Sequence, residues 1–363
     1  MKIVFDGLIY SLQKQGGISR YFDELINGLA EKQDCEITVL IRKDILNKVF
    51  NGRVKVEIID SSINTSNKLL KYLSILIDGR KTKNFLKNRK DLQDGVLHHT
   101  YYRYFSDLKA KQVITVYDMT DEIFPKFFKG ILYYLYAYNK KRVIFKSDSV
   151  ITISESTKKD IVNFYNITLE KINVIYLGIS NIFKKINRNK PAKPFFLYVG
   201  YRYYYKNFPF LLKAFNLWSQ KDKYDLLCLG GGEFNKAETK LINDLNLANI
   251  VKQIPNISDE ELVSYYNNAE ALAYPSLYEG FGLPILEAMS CGTPVICSDI
   301  PVFHEVGGEF PLYYKTSNNF LGQLEKTVNK KYSDITKIIT WPKKFTWEKT
   351  VSDTMKTYRK LIG

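Results

Sequence analysis

The chain has 363 residues, 45% hydrophobic and 25% charged, which suits two domains of ordinary size and excludes a disordered chain. Lys and Arg total 53 against 38 Asp and Glu, a formal charge of +15. That excess attracts polyanions such as nucleotides, nucleic acid or an anionic membrane face, unless it is merely the background of a lysine-rich composition. No run of about 18 apolar residues occurs, which argues against a membrane-spanning helix, and MKIVFDGLIY, which leads straight into a strand-like run, is not expected to act as a signal peptide.

In chain order, MKIVFDG predicts a buried parallel strand. The loop SLQKQGGIS follows, then a helix over RYFDELINGLAEK with Tyr21, Leu25, Ile26 and Leu29 on one face. CEITVLI and VKVEIID predict a second and a third strand. KLLKYLSILIDGRKTKNFLKNRK, Lys68 to Lys90, mixes apolar and cationic residues. It reads equally as a solvated helix packed on its own core or as a segment lying on an anionic membrane. GVLHHTYY, AKQVITVYDM, SDSVITIS and KINVIYLGI continue the strands, and SESTKKDIVNFY is a helix opened by a capping serine or threonine.

The polar, basic segment FKKINRNKPAKP, Phe183 to Pro194, carries two prolines and predicts a linker. It separates a first domain, 1–182, from a second, 194–345, with the linker at 183–193. PFFLYVG opens the second alternation, NFPFLLKAFNLWSQ is its first helix, and YDLLCLGGG, NIVKQIP, EALAYPS and TPVICSD supply strands. The amphipathic segment 346–363 is expected to pack back on the first domain. Strands alternating with helices predict an α/β fold with doubly wound parallel sheets. The four cysteines, Cys35, Cys228, Cys291 and Cys297, form no CxxC pair and read as small core residues of a reduced compartment.

Three groups of residues stand out. Gly16-Gly17 follow the first strand, where glycines let backbone amides approach a phosphate at a helix N-terminus, although an ordinary tight turn explains them as well. Arg202 and Lys206, in VGYRYYYKN, follow the first strand of the second unit at the edge where open parallel sheets bind ligands. They are either a pair of cations for a diphosphate or a solvated basic loop. Glu279 and Glu287 bracket a glycine turn in YEGFGLPILEAMSCGTPVICSDIP. A helix N-terminus favours such carboxylates, which can accept hydrogen bonds from sugar hydroxyls. A metal site is not expected: no Asp-x-Asp pair occurs, and His98, His99 and His304 lack a zinc spacing.

The last string resembles the motif of family 4 retaining glycosyltransferases of the GT-B fold, in which two glutamates bracket seven residues. Glu279, Gly280, Phe281, Gly282, Pro284, Glu287, Ala288, Gly292, Pro294 and Val295 all fall where that motif has them. The Gly-Gly loop, VGYRYYYKN, ISESTKKDI and FTWEKT follow in the family's order, so the resemblance spans essentially the whole chain, and bacterial builders of surface polysaccharides are the most similar members. It implies two Rossmann-like domains facing across a cleft. It also implies transfer of a sugar, with retention, from a nucleotide-diphosphate donor to an oligosaccharide acceptor, lipid-linked at the cytoplasmic face of the cell membrane.

By resemblance, Glu279 touches the donor sugar hydroxyls and Glu287 holds the ribose. Arg202 and Lys206 stabilise the leaving diphosphate, and Gly17 with the amides of Phe281, Gly282 and Leu283 lines the phosphates and sugar. No cofactor is implied beyond the donor itself. Where many members carry a histidine this chain has Tyr117-Asp118, which leaves Asp118, His98 and His99 open for a related role. The rival readings are a non-transferring relative, an epimerase or phosphorylase, and a basic nucleic-acid-binding protein, for which no recognised module is present.

Overall fold

The computed structural model describes residues 1–13, 16–63, 67–89, 92–187, 191–332 and 334–363, without the side chains of residues 68, 69 and 72. The chain divides into two compact units: Met1–Gly178 with Trp347–Gly363, and Ile179–Thr346.

In the first unit, strands β1 (Lys2–Phe5), β2 (Glu36–Arg42), β3 (Lys55–Ile59), β4 (Val96–His99), β5 (Lys111–Val116), β6 (Ser149–Thr152) and β7 (Ile172–Val174) form one sheet. Their order is β3-β2-β1-β4-β5-β6-β7, all parallel. The inner strands β1, β2, β4, β5 and β6 are short apolar runs buried on both faces, as a sheet with helices on each side demands, whereas the edge strand β3 is largely exposed. Leu8–Leu12 is a helix that takes in Ser11 and Leu12, the first two residues of the expected loop. Five residues are too few to show a helical period; what fixes them is tertiary, since the Ile9 amide donates to Thr100 Oγ1 at 3.1 Å. The helix Gly17–Ala30 buries Tyr21, Phe22, Leu25, Ile26 and Leu29. The helix Trp347–Ile362 packs on it, with Val351, Met355 and Tyr358 buried.

The Lys68 to Lys90 segment is a helix over Lys68–Lys87. Its anchor is a buried ion pair in which Arg42 grips Asp78 through two nitrogens, at 2.9 and 2.8 Å, with Arg103 on the same carboxylate at 2.8 Å. The cations beyond it are largely engaged: Lys83 with Asp107 at 2.9 Å, Arg89 with Glu57 at 2.7 Å, and Lys81 with the Asp60 carbonyl. Lys90 lies outside the described residues.

The second unit repeats the theme with β8 (Phe195–Val199), β9 (Asp225–Leu229), β10 (Val251–Ile254), β11 (Leu272–Tyr274), β12 (Val295–Ser298) and β13 (Leu312–Tyr314). Their order is β10-β9-β8-β11-β12-β13, again parallel. The three-residue β13 is too short to have shown an alternation in the sequence. One core carries Phe196, Phe208, Phe215 and Trp218, and the Trp218 indole N–H donates to Glu325.

The expected linker needs correction. Phe183 is buried against Tyr266, ring centroids 6.0 Å apart, while Asn267 donates to the Lys184 carbonyl and accepts from the Ile186 amide. Residues 183–187 are thus part of the second unit, and the units divide at 178/179 rather than after residue 182. Residues 188–190 of that segment lie outside the described residues.

His98 is wholly buried between Tyr358 Oη, 2.5 Å from Nδ1, and Thr115 Oγ1, 2.9 Å from Nε2. Burial, and then the charge of His99, push its pKa down to about 3. The folded ring stays neutral while the unfolded one takes up a proton near pH 6.5. The unfolded state therefore binds more protons below that point, and stability falls as pH drops. Between pH 6.5 and 5 the loss should be about 2 kcal/mol, a fall in Tm of about 4–8 °C. His98→Gln should flatten that slope in thermal melts; a wild-type Tm that is level from pH 7 to 5 would contradict this account.

Candidate functional site

In a doubly wound sheet the loops after the two strands flanking the reversal of strand order leave in opposite directions and open a crevice at the carboxyl edge. In the second unit those strands are β8 and β11. The loop after β8 carries Lys206 and the loop after β11 carries Glu279, and the two side chains meet: Lys206 Nζ lies 2.5 Å from Glu279 Oε1. Ser276 Oγ donates to the same oxygen at 2.7 Å, and the Tyr274 hydroxyl also hydrogen-bonds the carboxylate. Burial, then the Glu279 charge, hold Tyr274 well above its ordinary pKa, so it remains a donor. The ammonium sits 5.3 and 5.7 Å from the ring centres of Tyr205 and Tyr274. Only 17% of the lysine and 11% of the glutamate side chain is exposed, so this charge pair is fixed in a medium where it is poorly screened.

Arg202 does not join them. Its guanidinium, 3% exposed, donates to the carbonyls of Gly230 (3.0 Å), Gly232 (2.8 Å) and Glu233 (2.9 Å) and to Glu238 Oε1 (3.1 Å). It also lies over the Phe234 ring, 4.9 Å from its centre. Every edge of the fork is engaged within the protein, while the Lys206 ammonium stands at the crevice. What Arg202 holds is a feature the sequence reading passed over: three successive glycines after β9, Gly230, Gly231 and Gly232, all at positive φ between 71° and 74°. A Cβ at Gly231 would lie 2.8 Å from the Gly200 carbonyl oxygen, so only glycine lets this loop pass so close to the end of β8. The triple glycine directly after a strand was the available signal.

The second glutamate stands deeper. The turn after Glu279 runs through Gly280 and buried Phe281 to Gly282, at φ 113°, which opens the helix Leu283–Ser290 with Pro284 in its first turn. The first amides of such a helix have no acceptor within it, which makes the 281–283 backbone a place for an anion. Glu287 is 9% exposed and accepts from Tyr266 Oη at 2.9 Å. Burial and the Glu287 charge keep that tyrosine protonated.

The first unit holds the other expected residues. Gly16 and Gly17 begin the helix Gly17–Ala30, whose Arg20 amide donates to the Gly16 carbonyl; Lys14 and Gln15 lie outside the described residues. Asp118 follows β5, and its Oδ1 accepts from the Thr120 amide at 2.9 Å. Its unforeseen neighbours are Asp121, which burial raises to a pKa of about 6 against the pull of Lys140, and Glu122, 2.8 Å from Lys140 Nζ. His98 and His99 are withdrawn from any such role. Both are fully buried, His98 as above and His99 between Asp6 (3.3 Å) and Gln112 (2.9 Å). Among the described residues no group of three or more His, Cys, Asp or Glu is placed to hold a metal ion.

Comparison with known proteins gives matches across both units. Residues 15–181 match the family model described as Glycosyltransferase Family 4, and residues 180–311 that of Glycosyl transferases group 1. The O-antigen chain mannosyltransferase RfbU of Salmonella typhimurium is 36% identical over 217 residues, 60% of this chain and 58% of that protein. The match therefore spans little more than half of that relative's length. The O-antigen chain mannosyltransferase B of Escherichia coli is 26% identical over 99% of this chain and 100% of its own. Among solved structures, sucrose-phosphate synthase from Thermosynechococcus elongatus shares the fold with a TM-score of 0.78, at 19% identity and 99% coverage of each chain.

The Arg202 geometry yields a test. Lysine keeps the charge but cannot reproduce a planar fork with four acceptors. Arg202→Lys should therefore lower stability by about 2–4 kcal/mol, through unpaired buried carbonyls, and expose the 230–233 loop to limited proteolysis. An unchanged Tm together with an intact loop would show that the guanidinium is dispensable there.

Proposed function

We propose that the chain is a glycosyltransferase of the GT-B fold that transfers a mannosyl residue from a nucleotide-diphosphate donor to an oligosaccharide acceptor, a reading supported by the two family matches. The reaction proceeds with retention, without a metal ion, and in the assembly of an O-antigen type of surface polysaccharide. The relatives' names support the sugar and the product class; they do not favour an epimerase, a phosphorylase or a nucleic-acid-binding protein.

The observation that carries the reading is the Lys206–Glu279 pair at the reversal point of the second sheet. Breaking an anomeric C–O bond leaves positive charge on the sugar ring and negative charge on the departing diphosphate. Lys206 and the amides of 281–283 present fixed positive charge and dipoles for the diphosphate, and their prior fixation means that little reorganises during the reaction. Glu279, oriented by Lys206, Ser276 and Tyr274, accepts hydroxyls of the donor sugar. Glu287, fixed by Tyr266, takes the ribose. Arg202 acts at one remove by shaping the Gly230–Gly232 loop, and in the first unit Asp118 takes the role related to that of the family's histidine.

A nucleotide-release assay with GDP-mannose and UDP-sugars tests this. Glu279→Ala should keep the fold and lose about 2–4 kcal/mol of transition-state stabilisation, on the scale of one oxyanion-hole donor. Excess EDTA should leave the wild-type rate unchanged. Near wild-type turnover in Glu279→Ala, or complete loss in EDTA restored by manganese, would overturn the assignment.

We further assign a lipid-linked acceptor, reached by surface docking of the first unit. Among the described residues no helix is long and apolar enough to cross a membrane. Leu70, Leu73, Leu76 and Ile77 of the helix Lys68–Lys87 are 45–54% exposed, and Ile131, Tyr134 and Tyr138 of the helix Ile131–Lys146 are 67–72% exposed. The two helices share a hollow lined by Lys71, Ile75, Lys129 and Ile131. Exposed apolar groups rimmed by lysines fit an anionic lipid surface. This shifts the expected docking role away from Lys81, Lys83, Lys87 and Arg89, which are engaged with Asp60, Asp107 and Glu57. Binding to anionic vesicles should fall with salt and be lost in Leu73→Asp/Ile131→Asp. Equal sedimentation with neutral vesicles, or no effect of that double change, would point to a soluble acceptor.

A further inference from the structure

Exposed apolar side chains are unevenly spread over the second unit. Among its described residues, Tyr201, Tyr203 and Tyr204 are 54–58% exposed and Leu277 is 43% exposed, and only Ile186 and Leu217 join them as large exposed hydrophobics. The three tyrosines stand on the loop after β8 and Leu277 on the loop after β11. These are the same two loops that bring Lys206 to Glu279. They are also tied to each other, since the Leu277 amide donates to the Tyr205 carbonyl at 2.7 Å.

The tyrosines are ordered. The rings of Tyr201 and Tyr203 are 13° from parallel with centres 5.2 Å apart, and Tyr203 and Tyr205 follow at 30° and 6.2 Å. Parallel rings whose centres are this far apart are offset, so each leaves part of a face uncovered. One end of the stack is capped by the Lys206 ammonium, 5.3 Å from the Tyr205 ring centre. At the other end the Tyr201 carbonyl accepts from the buried Tyr198 hydroxyl at 2.7 Å, and Gly231 packs so closely beneath that a Cβ there would lie 3.1 Å from Tyr201 Cα. The backbone under the stack is therefore held, while the rings of Tyr201 and Tyr203 stand in the open. An exposed apolar patch continuous with a site is a contact surface for what the site binds.

Charge narrows the occupant. Residues 200–207 and 275–282 carry three charges, Arg202, Lys206 and Glu279. Arg202 is engaged with the 230–233 carbonyls and Glu238, and Lys206 and Glu279 neutralise each other. The stack thus offers no uncommitted charge to an anion, a cation or an anionic lipid face. A sugar ring is neutral and has C–H faces that lie flat on aromatic carbon, with its hydroxyls pointing outward to water. Position excludes the nucleobase: the stack begins beside Lys206 and Glu279, where the donor sugar lies, whereas the ribose lies at Glu287 and Tyr266. We infer that Tyr201 and Tyr203 form a stacking platform for saccharide rings next to the reacting one, so that a chain of several rings is held better than a single sugar. The inference rests on the transferase reading above for where the donor lies, and on the tyrosine stack alone for the saccharide.

The double change Tyr201→Ala/Tyr203→Ala removes the platform, and Tyr201→Phe/Tyr203→Phe keeps its faces and loses only the hydroxyls. Both positions are exposed, so the fold should be untouched. Saturation-transfer NMR on the whole chain reads binding, with the trisaccharides of mannose, galactose and N-acetylglucosamine set against the methyl glycosides of the same sugars. The wild type should bind at least one trisaccharide about tenfold or more tighter than its single ring. The alanine pair should lose that gain and the phenylalanine pair keep it, and irradiating the aromatic protons should saturate the sugar C–H protons in the wild type but not in the alanine pair. No gain with any of the three sugars, a gain that the alanine pair retains, or one that the phenylalanine pair loses would overturn the proposal. So would loss of binding to anionic vesicles by the alanine pair with trisaccharide binding intact, which would give the tyrosines to a lipid surface. Thermal shifts with GDP and UDP judge the donor site separately: a wild type that binds neither nucleotide would count against the transferase reading, while the trisaccharides decide the platform.

Discussion

Every strand in both sheets runs parallel to its neighbours, and that constraint decides where chemistry can occur. Parallel pairing forbids hairpins and requires a crossover for each strand, so the strand-to-helix loops all gather at the carboxyl edge. The two units use the reversal point differently. In the second it is open and carries the Lys206–Glu279 pair. In the first it is closed by Asp6, whose Oδ1 accepts from the Thr100 amide (2.8 Å), Thr100 Oγ1 (2.6 Å) and the Leu8 amide (3.3 Å) while Oδ2 faces His99. Burial opposes that charge, but the hydrogen bond and charge of His99, with Arg103 and Arg42, hold the carboxyl far below its usual range.

Two cations four residues apart have come to do unlike things because of what surrounds them. Lys206 keeps a point charge at the crevice, balanced by one carboxylate and bordered by aromatic faces. Arg202 faces carbonyl oxygens from a loop nearly thirty residues further on, and its planar fork binds them together. A buried guanidinium with fewer acceptors would be a liability rather than a brace. The glycines it binds have no side chains to hold their own conformation, so the brace and the loop require each other.

How much of this was legible in the sequence depended on range. Strands such as KIVF and VICS were readable because burial on both faces leaves a continuous apolar run. The turn into the helix Leu283–Ser290 was readable because its glycines, proline and glutamates are contiguous. Arg202 was not, since its partners at 230–238 are distant in sequence and nothing in VGYRYYYKN announces them. Phe183 to Ile186 looked like linker because its composition is polar, while the contacts that fix it come from Asn267 and Tyr266. The cations at 81, 83 and 89 were visible as charge, but their acceptors lie on other elements.

The helix Trp347–Ile362 completes the first unit, although residues 179–346 belong entirely to the second. Its Tyr358 reaches the centre of the first sheet, bonded to His98 and packed edge-on against that ring at 5.8 Å. On the ribosome, then, the order of synthesis and the order of completion are reversed. The second unit is one uninterrupted stretch and can mature as soon as it emerges. The first, though begun earlier, waits with an uncovered helix face at Tyr21 and Gly28 until residue 358 has been made. That interval is when a chaperone would find it, and it is also why a fragment ending at residue 178 would lack a part of its own core.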